Sequence, residues 1–112
     1  MTPAPLETTT YPSPDGPVIA LRGEIDGDAK DALAAAYDSV PRDGRLLLDF
    51  TDVLYINSTG IALIVALLAR ARAANQPVAG TGLSDHYQDI FEITRITDFM
   101  TILTPNSRQH DD

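Results

Sequence analysis

Ser58 and Thr59 are two adjacent hydroxyls in Asn57-Ser58-Thr59-Gly60, set between the apolar runs Leu46-Leu47-Leu48 and Ile61 to Ala69. Such a tetrapeptide at a helix start has two uses. Asn57 can be the N-cap, with Ser58 and Thr59 the first helical residues and Gly60 a close-packing site. Alternatively, the free N–H groups and the positive end of the helix dipole can tolerate a phosphate on a hydroxyl. Other reactive groups are sparse. A serine hydrolase needs a histidine and an acid beside Ser58, and a glycine before it; the only histidines are His86 and His110. The tetrapeptide carries no lysine, so it is no Walker loop. The chain has no cysteine, which excludes disulfides, thiolate metal sites and a cysteine nucleophile. Glu24, Asp26 and Asp28 crowd three carboxylates together, but the further oxygens and spaced glutamate of a calcium loop are absent. They read as a solvated, capping loop, and Asp49 and Asp52 as turn and cap formers. The inventory points to a binding module, not an enzyme, with no cofactor and no metal.

The elements that position these residues follow from the apolar pattern. Leu46 to Leu48, ending at Asp49-Phe50, reads as an inner strand covered on both faces. Ile61 to Ala69 reads as a helix with two adjacent clusters, Ile61/Ile64/Val65/Leu68 and Ala62/Ala66/Ala69, the alanines letting it approach a sheet closely. Arg70 and Arg72 suit its last turns, and Asn75 and Pro77 end it. Upstream, Leu6 to Tyr11 and Val18 to Leu21 are strands joined by the turn Pro14-Asp15-Gly16-Pro17. Arg22 to Asp28 is a loop in which Asp26 or Asp28 caps the next helix, whose stripe is Ala29, Leu33, Ala36, Tyr37 and Val40. Downstream, Pro77 to Gly82 is a short strand, and Ser84 or Asp85 caps a helix with Tyr87, Ile90, Phe91 and Thr94 on its apolar face. Ile96 to Leu103 supplies a turn and a last strand.

This alternation predicts one α/β domain over residues 6–103, with a mixed sheet that opens on a hairpin and helices mainly on one face. Residues 1–5 read as a flexible arm and 104–112 as a polar tail. Asp26 and the tetrapeptide both follow strands, so they gather at one end of the sheet. The chain carries 8 Lys and Arg against 16 Asp and Glu, a net charge of −8. That opposes nucleic-acid and anionic-membrane binding, which want a basic surface. The longest apolar run is short of the about 20 residues a membrane span needs. The first residues lack a basic n-region and an apolar h-region, so a cytoplasmic protein is expected.

Taken together, Leu21-Arg22-Gly23-Glu24-Ile25-Asp26, Leu46-Leu47-Leu48-Asp49-Phe50, Val53 to Ile64 and Gly82-Leu83-Ser84 leading to Ile90-Phe91 carry a resemblance. The chain resembles the STAS-domain proteins of the anti-sigma factor antagonist (anti-anti-sigma factor) family, from Val18 to Leu103. The resemblance implies a bacterial partner-switching regulator of transcription. Such a protein binds an anti-sigma factor serine kinase and frees the sigma factor it holds. The kinase phosphorylates the antagonist with ATP, which releases it, and a serine phosphatase resets it. The family's phosphorylated serine falls on Ser58, with Thr59 the second candidate. Its partner surface falls on Glu24, Asp26, Asn57, Ser58, Thr59, Gly60 and Ile61. Two departures stand out. Asn57 replaces the aspartate usual before the phosphorylated serine, and the residues after Leu103 are too polar for the further helix of many relatives. The alternative implied by the same resemblance is a non-phosphorylated STAS scaffold, or a subunit of a lipid-transport or other regulatory assembly.

Overall fold

A strand that keeps its pairing well past its apolar run organises the molecule. In the computed structural model, which describes residues 5–103, β3 spans Leu46–Ile56, eleven residues. Before it come β1 (Glu7–Ser13), β2 (Gly16–Ile25) and helix α1 (Lys30–Ser39). After it come α2 (Ser58–Ala73), β4 (Val78–Thr81), α3 (Asp85–Ile93) and β5 (Thr101–Leu103). The sheet order is β1-β2-β3-β4-β5. β1 and β2 pair antiparallel as a hairpin, with Tyr11 opposite Val18, and the remaining pairs are parallel. The mixed sheet, its opening hairpin and the helices on one face are those the apolar pattern predicts.

Four expectations need correction. β2 and β3 run further than their apolar cores, because backbone pairing continues to Glu24↔Tyr55 and Ile25↔Ile56. Arg22 to Ile25 are therefore strand and not loop, and Asp49 and Asp52 lie within β3. β3 is not covered on both faces: Leu46, Leu48 and Phe50 are buried while Leu47 and Asp49 are half-buried, the alternation of a sheet with helices on one side. In α2 the alanine cluster does not meet the sheet. Ile64, Leu67, Leu68 and Ala71 are buried, whereas Ala62, Ala66 and Ala69 are exposed. Aliphatic bulk decides the inward face, since burying a leucine contributes more than burying an alanine.

The core gathers Ile19, Leu21, Ile25, Leu33, Ala36, Tyr37, Phe50, Ile64, Leu68 and Phe91 around the helix-bearing face of the sheet. Its buried polar member is Gln76, 3% exposed. Tyr37 Oη donates to Gln76 Oε1 at 3.0 Å, and Gln76 Nε2 donates to the carbonyls of Pro41 and Gly44 at 3.1 and 3.2 Å. Every polar atom of that side chain is thereby satisfied, as burial requires. The 1–5 arm falls outside the described residues except for Pro5, and the 104–112 tail with His110 lies outside them entirely.

Candidate functional site

At the carboxyl end of the sheet, β2 and β3 stop side by side and hand over to two turns. On the β2 side, Asp26 accepts the Asp28 N–H at 3.0 Å and caps a single 3-10 turn, Gly27–Ala29. That turn runs straight into α1, which has no side-chain cap of its own. On the β3 side, Asn57 alone separates strand from helix. Its backbone is extended, and its Oδ1 accepts the Gly60 N–H at 2.8 Å. Ile61 N–H closes the first helical bond onto Asn57 O at 2.9 Å. The Ser58 and Thr59 N–H groups are among the first-turn donors that have no acceptor within a helix.

Two contacts lock the turns together. Asn57 N–H donates to Ile25 O at 3.2 Å. Gly60 lies so close to the same carbonyl that a β-carbon there would come within 2.6 Å of its carbon atom. Asp26 is therefore one residue from a backbone that Asn57 and Gly60 both touch, which sets the Asp26 turn against the 57–60 turn. Gly27 also faces Thr59: a β-carbon on Gly27 would meet Thr59 Cγ2 at 3.5 Å. Ser58 and Thr59 are exposed, Asn57, Asp26, Glu24 and Ile61 are half-buried, and Gly60 is buried. All seven sequence-derived residues gather at one end of the molecule, Gly60 as a packing contact beneath its surface. Just before the turn, Leu54 and Tyr55 are 68% and 53% exposed, unusual for large apolar side chains.

Sequence reasoning missed a further member. Tyr87, assigned to the apolar face of α3, uses its hydroxyl at the site: Ile56 N–H donates to Tyr87 Oη at 2.9 Å. The usable signal was the tyrosine itself, an apolar ring whose hydroxyl seeks a partner when buried. Ser84 is the helix cap, accepting the Tyr87 N–H at 3.3 Å, and His86 at the helix start is exposed. Among the described residues no group of three or more His, Cys, Asp or Glu is placed to hold a metal, and no helix is long and apolar enough to cross a membrane. The arrangement presents two exposed hydroxyls on a helix N-terminus, with the carboxylate-bearing end of β2 as its neighbour and exposed Leu54 and Tyr55 just before it.

The family described as Mlab, STAS domain matches residues 9–104. Anti-sigma-B factor antagonists of Listeria monocytogenes and Listeria innocua are each 31% identical over 86 residues, which cover 75% of this chain and 75% of the relative. Among solved structures, an anti-sigma factor antagonist from Mycobacterium paratuberculosis superposes with a TM-score of 0.72 at 16% identity, over 96% of this chain and 92% of that one. The antagonist SpoIIAA in its unphosphorylated form gives 0.66 at 15% identity, over 95% and 96%. The phosphorylated form of SpoIIAA from Bacillus gives 0.61 at 14% identity, over 94% and 98%. At these identities the solved structures share the fold.

Proposed function

This chain belongs to the STAS-domain, anti-sigma factor antagonist family, and on that footing we propose that it is a partner-switching regulator. It binds an anti-sigma factor serine kinase, frees the sigma factor, and lets go when Ser58 is phosphorylated. It performs no chemistry itself; the kinase adds the phosphate from ATP and a serine phosphatase removes it. The domain that does this spans 6–103.

The observation that carries the reading is the exposure of Ser58 on the first turn of a sixteen-residue helix, between a capping Asn57 and a buried Gly60. A phosphate there brings about −1.5 to −2 charge. Free N–H groups and the helix dipole accommodate it, so the fold need not change. SpoIIAA, which shares this fold, has been solved in both forms. The same charge is costly at an interface. It joins Asp26, Asp28 and Glu24 in a chain of net charge −8, and it must be desolvated when a partner covers it. Leu54 and Tyr55 supply the apolar part of that interface. The result is release by electrostatics and desolvation, without refolding.

Intact-mass measurement and site mapping after incubation with ATP and an anti-sigma serine kinase of the same genome test this. One phosphate on Ser58, absent from Ser58→Ala, is the expected result. Phosphate on Thr59 alone moves the switch by one residue. Binding without any phosphate identifies a constitutive scaffold, with Asn57 in the usual place of aspartate as the cause. Absence of both phosphate and binding overturns the reading.

A further inference from the structure

β3 outlasts its neighbour on one side. β4 pairs with Leu46–Asp49 and stops, whereas β2 accompanies β3 to Ile56. From Thr51 onward the β4 side of β3 has no strand beside it. At the far end of this gap, one residue before Asn57, the Ile56 N–H meets Tyr87 Oη at 2.9 Å. The hydroxyl stands where a neighbouring strand would have placed a carbonyl. The same oxygen is 3.5 Å from Ile56 O, so the phenol faces both backbone groups of one residue, as a paired strand does.

Tyr87 is itself held firmly. It lies on the first turn of α3, with its N–H on Ser84 Oγ at 3.3 Å. The Gln88 side chain grips Leu83 O at 3.0 Å, and the His86 ring meets the Tyr87 ring edge-on at 4.9 Å between centroids. The turn that presents Ser58 is therefore fixed from two sides. Ile25 O holds Asn57 from β2, and Tyr87 Oη holds Ile56 from α3.

We propose that Tyr87 is a positioning residue of the Ser58 turn: through its hydroxyl, α3 completes the end of β3 and sets the geometry in which Ser58 meets a kinase. This rests on the switch reading above for what the geometry is used for, but not for the geometry. A strand end paired on one side alone opens more readily than one held on both, and the helix start that follows opens with it. With the hydroxyl in place, α3 and the Ser58 turn move as one body.

The test is Tyr87→Phe in the full chain, which keeps the ring and removes only the oxygen. Amide hydrogen exchange is read residue by residue by NMR, and initial rates of Ser58 phosphorylation are read with the same kinase and ATP. Exchange at Ile56 should rise about tenfold, as for loss of one ordinary hydrogen bond, with Ile19 and Leu48 unchanged. The amides of Ser58 and Thr59 should shift, and phosphorylation should slow about tenfold through misplacement of the hydroxyl. Ile90→Ala, which loosens α3 packing and leaves the hydroxyl in place, should lower Tm without singling out Ile56. Unchanged Ile56 exchange in Tyr87→Phe overturns the proposal. So does a uniform rise across the sheet, which would mean lost packing alone, or a local rise with wild-type phosphorylation. If the wild-type chain takes no phosphate, the switch reading fails; the Ile56, Ser58 and Thr59 amides then decide the positioning role by themselves.

Discussion

Gly60 rests on the carbonyl of Ile25, so that the first turn of α2 and the last residue of β2 share a contact with no room for a methyl group. The same carbonyl accepts the Asn57 N–H, and both ends of the hydroxyl-bearing turn are thereby tied to one peptide unit. Gly60→Ala forces backbone against backbone, which no rotamer change can relieve. It is expected to cost about 3 kcal/mol, the upper range for overpacking a filled site. Thermal unfolding checks this: Tm should fall by more than about 10 °C for a domain of this size.

Asn57 caps α2 through one bond, Oδ1 to the Gly60 N–H. Asn57→Ala should lose about 1 kcal/mol in urea denaturation. Asn57→Asp installs the aspartate that the family resemblance implies at this place and caps equally well, so stability should stay within about 0.5 kcal/mol of wild type. If the missing aspartate limits recognition by the kinase, this variant gains phosphate faster than wild type while its unfolding curve is unchanged.

Ser58→Asp places a charge where the proposed phosphate would stand. An acidic residue in the first turn suits the helix dipole, so Tm should move by no more than about 4 °C. Kinase binding, read by calorimetry, should weaken more than about a hundredfold, equivalent to ~3 kcal/mol of repulsion and desolvation. Ser58→Ala should bind as wild type does and stay bound when ATP is added. Tight binding by the aspartate variant would remove the electrostatic basis of release.

Gln76 is a structural control far from the turn. Its side chain serves Tyr37 Oη and the carbonyls of Pro41 and Gly44. Gln76→Leu strands three polar groups and should cost about 3 kcal/mol, since each lost partner leaves a desolvated group behind. Tyr37→Phe removes one bond and should cost about 1 kcal/mol. Neither should alter phosphorylation of Ser58 at a temperature where the variant is folded, which separates effects on stability from effects on the site.

The elements announced themselves where apolar residues recur at a period that side-chain burial enforces. The α1 stripe of Ala29, Leu33, Ala36, Tyr37 and Val40 is buried throughout, and Asn57 and Ser84 cap as their types predict. Legibility fails where backbone pairing does the work. Arg22 to Ile25 and Thr51 to Ile56 are too polar or too mixed to read as strand, yet β2 and β3 pair there, across two register irregularities, out to Ile25↔Ile56. The alanines of α2 misled because small size is compatible with either close packing or exposure. Tyr87 was legible as apolar and illegible as a hydrogen-bond acceptor, since its partner is a backbone N–H thirty-one residues away. The grouping of Asp26 with the 57–60 tetrapeptide follows from strand order as well as from the resemblance, because residues that follow adjacent parallel strands emerge at the same end.

Each strand of the sheet lies next to the strand that precedes it in the chain, and none is inserted between two earlier ones. Such a sheet can be laid down in the order of synthesis. β2 finds β1 through a two-residue turn, β3 adds after one helix, and every later strand docks on an edge already present. Contacts of modest sequence separation favour rapid folding. Every partner that fixes the Ser58 turn, from Ile25 to Tyr87, has been made once the chain has been extended through α3. A nascent chain that has cleared the ribosome that far already holds all the residues proposed above to form its recognition surface.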